Sequence, residues 1–156
     1  MKATRAEIER ILAALDETPR WLTRSTSRVD AKRLRLKPDP ASWSAVDILS
    51  HLRAGSDVWG ASLASRWSEG EPALPEIHPR QWQKQADYDT LSFGESLKIF
   101  ARQRRGLLKM LTALVFEDWE RGAMLGGRRH TVFTQARRLA KHEAEHCKQI
   151  EEMLIA

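Results

Sequence analysis

Two histidines near the end of the chain, His142 and His146, stand four residues apart in the run Lys-His-Glu-Ala-Glu-His-Cys. Residues at this spacing share one face of an α-helix, with about 40° of rotation and about 6 Å of rise between them. Two imidazoles that point the same way can bind one divalent metal ion, and imidazole is a good ligand for zinc, nickel, iron or copper. The pair therefore predicts half of a metal site.

A third histidine, His51, lies on the apolar stripe of an earlier predicted helix. Taken alone, it is typical of a core imidazole satisfied by one hydrogen bond. All three histidines fall on apolar stripes, however, where an unpartnered polar ring is costly and metal coordination removes that cost. Three neutral histidines also leave one coordination position for a ligand, as catalytic sites do. We therefore predict that His51, His142 and His146 bind one divalent metal.

The same run also fits the zinc-peptidase pattern His-Glu-x-x-His, with Glu143 as the general base. The ten residues from Cys147 onward contain no further histidine and leave little room for a third ligand helix. Glu143 also lies about 100° away from the direction of His142 on a helix. We expect Glu143 to face solvent or a partner of a metal ligand, and the peptidase reading is the weaker one.

Arg104 is also unusual, because it places a charge on the apolar stripe of the third predicted helix. The favoured expectation is that its long stem lies along the helix flank while the guanidinium reaches solvent. The alternative places the guanidinium in the mouth of the fold, where it would bind the carboxylate of an anionic thiol or acid. Arg104 is thus a candidate substrate-binding residue, and the sequence assigns no catalytic residue.

Composition limits the class of protein. The 156 residues predict a single domain over 1–156, with no apolar run long enough for a membrane span and no apolar core of a secretory signal. One cysteine, Cys147, suits a reducing cytoplasm, which is the expected location. The net charge is +5, but the basic residues are dispersed, which argues against a nucleic-acid-binding surface and is compatible with an anionic small-molecule substrate.

Helical periodicity dominates the chain, and we predict an all-α four-helix bundle. The helices are expected over about residues 4–26 (kinked or divided at Pro19), from Ser42 or Ser44 to near Gly70, from Ser92 to Leu114, and from Thr131 onward. Residues 71–91 predict a long crossover loop between helices 2 and 3, with a short helix over 79–86. Residues 117–130 are expected to be irregular, with a turn at Gly126-Gly127. Such a long loop is often the wall of a binding site.

Two motifs carry a resemblance to a known family. The segment from Trp43 to Leu52, Trp-Ser-Ala-Val-Asp-Ile-Leu-Ser-His-Leu, resembles the start of helix two in the DinB-like (DinB/YfiT) superfamily. The segment from Leu139 to Ile150 is similar to that family's closing His-x-x-x-His with a trailing Gln-Ile. The resemblance spans nearly the whole chain. It implies an up-down-down-up bundle, a divalent metal (zinc, nickel or iron) on His51, His142 and His146, and a homodimer.

Members of that family include S-transferases that use bacillithiol, mycothiol or glutathione, a mycothiol-dependent maleylpyruvate isomerase, and predicted metal-dependent hydrolases. The resemblance thus implies a metal-dependent enzyme for a small-molecule substrate, with a low-molecular-weight thiol as cosubstrate. Thiol transfer is the first expectation and hydrolysis the second, by analogy. The alternative from another class is a non-catalytic bundle that binds metal, dimerises or binds a partner.

Overall fold

The computed structural model describes residues 1–64, 72–85 and 90–156. Its helices are α1 (Arg5–Thr26), α2 (Ala31–Arg35), α3 (Ala45–Gly55), α4 (Ala61–Ala64), α5 (Pro79–Gln85), α6 (Phe93–Thr112) and α7 (Val132–Ile155). A π-helical turn, Ser56–Gly60, joins α3 to α4, and a 3-10 turn covers Phe116–Glu120. Helix α1 packs against α6 and α7, and α3 packs against the same two helices, so the long helices form a four-helix bundle. The expected helix ends near Gly70 and at Ala86 lie outside the described residues.

Local capping explains where the long helices begin. Ser44 and Asp47 form a capping box, in which the Asp47 carboxylate accepts the backbone N–H of Ser44 at 2.9 Å. Ser92 and Glu95 repeat the arrangement at the start of α6. Thr131 caps α7 through the N–H of Thr134. The predicted starts of these three helices are therefore confirmed.

The all-α prediction is wrong in one respect, because three short strands form a small sheet. These strands are β1 (Ala73–Leu74), β2 (Gly122–Leu125) and β3 (Arg128–Thr131). Strands β2 and β3 form an antiparallel hairpin, and β1 pairs with β2 in parallel. The predicted turn at Gly126-Gly127 is confirmed, since both residues adopt the positive φ, 55° and 79°, that a two-residue hairpin requires. Part of the segment expected to be irregular, residues 117–130, thus forms a hairpin around this turn.

Pro19 does not divide the first helix, although division was one of the two outcomes expected of it. Helix α1 runs unbroken through Pro19. A proline has no N–H, so the carbonyl of Leu15, four residues earlier, loses its helical donor. Arg104 from α6 supplies a replacement, because its Nη1 donates to the Leu15 carbonyl at 3.0 Å. A tertiary contact therefore replaces the helical hydrogen bond that the proline removes.

In the described parts of the chain, no helix combines the length and the apolarity needed to cross a bilayer.

Candidate metal centre

Helices α3 and α7 hold the three histidines on facing surfaces. His51 lies about two turns after the N-cap Ser44 of α3, and it is buried, with 4% of its surface exposed. His142 and His146 lie one turn apart on α7 and are half-buried. Because α3 packs directly against α7, the three rings meet between these two helices.

The imidazoles are in mutual contact. The Nε2 atoms of His51 and His142 are 2.8 Å apart, and one nitrogen from each of the three rings lies within 4.8 Å of the others. The ring centroids are 4.8 Å apart for His51 with either of the other two, and 4.6 Å apart for His142 and His146. The structure thus brings together the three histidines that the sequence singled out, although His51 is 91 residues from His142.

All three histidines have a lowered pKa. Burial is the main cause, and it lowers the pKa of His51 to about 4 and that of His142 to about 3. The neighbouring His146 lowers both further, because two positive charges would lie side by side. Burial also lowers the pKa of His146 itself. Near neutral pH the rings are therefore uncharged, and their lone pairs can bind a cation.

The hydrogen bonds of the outer ring nitrogens indicate how well the cluster suits a metal. His146 Nδ1 lies 3.0 Å from Oε1 of Gln149, an acceptor that holds the proton on Nδ1 and leaves Nε2 with its lone pair. The Nδ1 atoms of His51 and His142 are buried, and neither has a partner among the described residues. Three neutral nitrogens on converging rings are a donor set that zinc, nickel or iron accepts. The residues present therefore fit a divalent metal.

Two tryptophans form walls around the cluster. The Trp43 ring lies 4.9 Å from that of His51 and 6.1 Å from that of His146, whereas Trp59 lies 4.8 Å from His142. The π-helical turn after α3 carries Trp59, and such turns are frequent at functional sites. From the sequence, neither tryptophan was singled out as a site residue. Each tryptophan lies eight residues, about two helical turns, from His51. This spacing was the signal that could have placed them beside the histidine.

Two arginines lie over these tryptophans, and sequence reasoning singled out neither. The Arg80 guanidinium carbon is 5.0 Å from the centre of the Trp43 ring, and that of Arg138 is 4.6 Å from the Trp59 ring. Arg138 precedes His142 by one turn of α7, so its spacing was a usable signal. Arg80 lies on α5, and only the packing of α5 against α3 brings it near the histidines.

Arg104 and Glu143 form an ion pair in the core. Their side chains are 1% and 0% exposed, Arg104 Nη1 donates to Glu143 Oε2 at 2.7 Å, and Nη2 contacts Oε1. The expectation that Glu143 faces solvent is wrong, because a buried guanidinium holds both of its oxygens. This engagement also does not favour the peptidase reading, which needs a base at the metal.

The observed position of Arg104 differs from both expected ones, because a carboxylate inside the core removes the need to reach solvent. Its predicted role in substrate binding stays a prediction, which these contacts do not favour. Cys147 is partly buried, and burial, followed by the charge of Glu143, raises the pKa of its thiol to about 12. The thiol is therefore protonated near neutral pH, as expected for an inert cysteine.

Comparisons with known proteins identify the family and a similar fold. A sequence model of the DinB superfamily matches residues 4–150. Among solved structures, the chain is similar to YfiT from Bacillus subtilis, a probable metal-dependent hydrolase with an unusual four-helix bundle topology. The TM-score is 0.85 at 16% identity, over 97% of this chain and 88% of that one, and at this identity the likeness shows the fold. No curated protein matches the chain.

Proposed function

Because this chain belongs to the DinB superfamily, we propose that it is a divalent-metal-dependent enzyme whose metal ligands are His51, His142 and His146. The observation that carries the proposal is the convergence of three uncharged imidazoles, with one nitrogen of each within 4.8 Å of the others. The 2.8 Å approach of the Nε2 atoms of His51 and His142 supports it, since two uncharged rings present their nitrogens to one point.

When bound, the metal would supply a Lewis acid that lowers the pKa of a ligand in its open position. The protein's own groups prepare that position. Gln149 holds the proton of His146 on Nδ1, so Nε2 is ready to bind. Trp43 and Trp59 cover two sides of the cluster with apolar rings, which limits the access of water and strengthens electrostatic interactions within the site.

Thiol transfer to a small electrophile is the reaction we favour. Among the described residues, no carboxylate or cysteine joins the histidine cluster, so the site lacks an obvious general base of its own. A free thiol has a pKa of about 8.5 and bulk water one of about 15.7, so a thiol needs far less activation. The thiol would lose its proton to solvent, and its sulfur would then bond to the electrophilic carbon while the leaving group departs with its electron pair.

Metal-assisted hydrolysis is the second candidate, and the likeness to YfiT, a probable metal-dependent hydrolase, favours it. In that case the nucleophile is water instead of a thiol, and the same three histidines serve. A small-molecule substrate is part of both candidates. A non-catalytic metal-binding or dimerisation bundle is the alternative from another class.

Metal analysis of the purified protein tests the proposal. We expect about one divalent metal per chain, and its loss in His142→Ala and in His146→Ala. His78→Ala is the matched control, because it removes an exposed histidine outside the cluster and should keep the metal. Retention of metal in both cluster variants would overturn the assignment of ligands.

A panel of thiols with 1-chloro-2,4-dinitrobenzene, run beside a panel of activated esters, then separates the two reactions. Consumption of a low-molecular-weight thiol, dependent on the metal, supports transfer, and thiol-independent ester cleavage supports hydrolysis. A metal-loaded protein inactive in both panels supports the non-catalytic bundle.

Other expectations stay predictions. They are the up-down-down-up order of the helices, a single domain over 1–156, the homodimer and the cytoplasmic location. Size-exclusion chromatography with light scattering tests the homodimer, which should elute at twice the chain mass of 17.9 kDa.

A further inference from the structure

Two guanidiniums lie beside the histidine cluster, each over a tryptophan that contacts an imidazole. Arg138 lies over Trp59 beside His142, and Arg80 lies over Trp43, which contacts both His51 and His146. A cation over an aromatic face is stabilised by the ring and keeps most of its N–H donors for other partners. The two arginines differ in what those donors already bind.

Arg138 belongs to the wall that Trp59 forms beside the histidine cluster. Its Nη1 donates to Glu76 Oε1 at 3.0 Å, and this bond holds the pKa of the Glu76 carboxyl below its usual value. The cavity beside it, of about 20 Å³, has room for about one water molecule. The buried Oε1 of Gln135, which has no partner among the described residues, lines that cavity and suits such a water. Arg138 is therefore already engaged by a carboxylate of the protein itself.

Arg80 is placed differently. Its side chain is exposed, and within residues 1–64, 72–85 and 90–156 it forms no ion pair. Its helix, α5, is anchored to α3 one turn later, where Gln83 Nε2 donates to the carbonyl of Asp47 at 3.3 Å. Because this hydrogen bond fixes α5 close to Arg80, the guanidinium stays near the cluster with little loss of conformational entropy on binding a ligand.

The charge around the cluster favours an anion. Three neutral histidines with a divalent cation carry a charge of +2, and no carboxylate among the described residues joins them. Of the two acids between His142 and His146, Glu143 is bound by Arg104, and Glu145 is exposed and lies 3.9 Å from Lys141. A positive site that has an arginine at its edge binds negatively charged ligands best, because their charge completes the balance.

We infer that Arg80, held over Trp43, binds a carboxylate on the molecule that occupies the open metal position, so that the enzyme selects small carboxylate-bearing compounds. The inference rests on the proposed metal site. It assigns Arg80 to substrate selection rather than to chemistry, since a guanidinium offers N–H donors for binding and no acceptor or nucleophile. A planar guanidinium and a carboxylate can form two parallel hydrogen bonds, which fix orientation as well as affinity.

Cobalt-loaded protein titrated with two matched thiols tests this. 3-Mercaptopropionate and 3-mercapto-1-propanol have the same chain length, and both give a sulfur-to-cobalt absorption band when they bind. We expect the wild-type protein to bind the carboxylate thiol about tenfold more tightly, the size of one charge-assisted contact. Arg80→Gln should abolish the preference, and Arg80→Lys should keep part of it. Lys84→Gln, which removes a charge from the same helix, should leave the preference unchanged.

The outcomes separate this inference from the function on which it rests. Failure of cobalt to bind overturns the proposed function and the inference with it. Cobalt and both thiols binding with equal affinity in the wild-type protein overturns the inference alone. An unchanged preference in Arg80→Gln, or its loss in Lys84→Gln, shows that general charge rather than Arg80 selects the ligand, and this also overturns it.

Discussion

His142 and Glu143 are neighbours in α7, yet the two buried polar regions that they belong to are built in opposite ways. The imidazole joins a cluster in which the Nδ1 atoms of His51 and His142 have no partner among the described residues. The carboxylate joins an ion pair in which Arg104 binds both of its oxygens. The 100° between successive helical residues sends one side chain toward α3 and the other toward α1 and α6.

The contrast distinguishes a binding site, the histidine cluster, from a structural support, the ion pair of Arg104 and Glu143. A buried charge is tolerated when internal partners satisfy it, and removing one partner leaves an uncompensated charge. A cluster of neutral rings with spare lone pairs is instead prepared for a ligand from outside. The ion pair further replaces the hydrogen bond that Pro19 removes from the Leu15 carbonyl, so it joins α1, α6 and α7 at one point.

The largest expected effect is on the support. Arg104→Met should lower the free energy of unfolding by about 3–5 kcal/mol, because Glu143 is left buried and unpaired. Urea denaturation of the metal-free protein measures it. Arg104→Met combined with Glu143→Leu should recover most of the loss, since a well-packed apolar pair often replaces a buried ion pair. A cost below about 1 kcal/mol for the single variant would contradict the supporting role.

Metal addition should affect only the other region. At a free metal concentration of 100 times its dissociation constant, the wild-type protein should gain about 2.7 kcal/mol in stability. Thermal unfolding with and without metal measures the gain, which should vanish in His146→Ala and persist in Arg104→Met if that variant folds. Equal stabilisation of the wild-type protein and of His146→Ala would place the metal elsewhere.

Acid should weaken the histidine cluster. Burial holds the pKa of His51 at about 4 in the folded protein, below its ordinary value of 6.5, so the unfolded chain binds more protons between these values. Stability of the metal-free protein should therefore fall as the pH drops from 6.5 towards 4. His51→Gln should show a shallower fall than the wild-type protein in chemical denaturation at several pH values. Parallel curves for the two proteins would show that His51 makes no such contribution.

The smallest expected effect links the support to Pro19. In a Pro19→Ala background, residue 19 can again donate its N–H to the Leu15 carbonyl, so the donor from Arg104 matters less. The cost of Arg104→Met should then fall by about 0.5–1.5 kcal/mol, the net worth of one hydrogen bond. A double-mutant cycle measures this coupling. Additive costs would mean that the Arg104 contact does not compensate for the proline.

Local signals in the sequence account for most of the fold. Ser44 with Asp47, and Ser92 with Glu95, mark helix starts because a capping box forms between residues three apart. The small sheet escaped prediction because strands of two and four residues carry too short a pattern to register. The short helix α2, capped by Asp30, was missed for the same reason.

The sequence by itself determined the long helices, the i, i+4 histidine pair and the apolar stripe that carries the third histidine, since helical geometry is fixed by spacing along the chain. Only the tertiary structure decided which polar groups meet. Arg104 finds Glu143 across 39 residues and Leu15 across 89, and Arg80 reaches Trp43 through the docking of α5. Such contacts depend on how helices pack, and no short-range pattern encodes them.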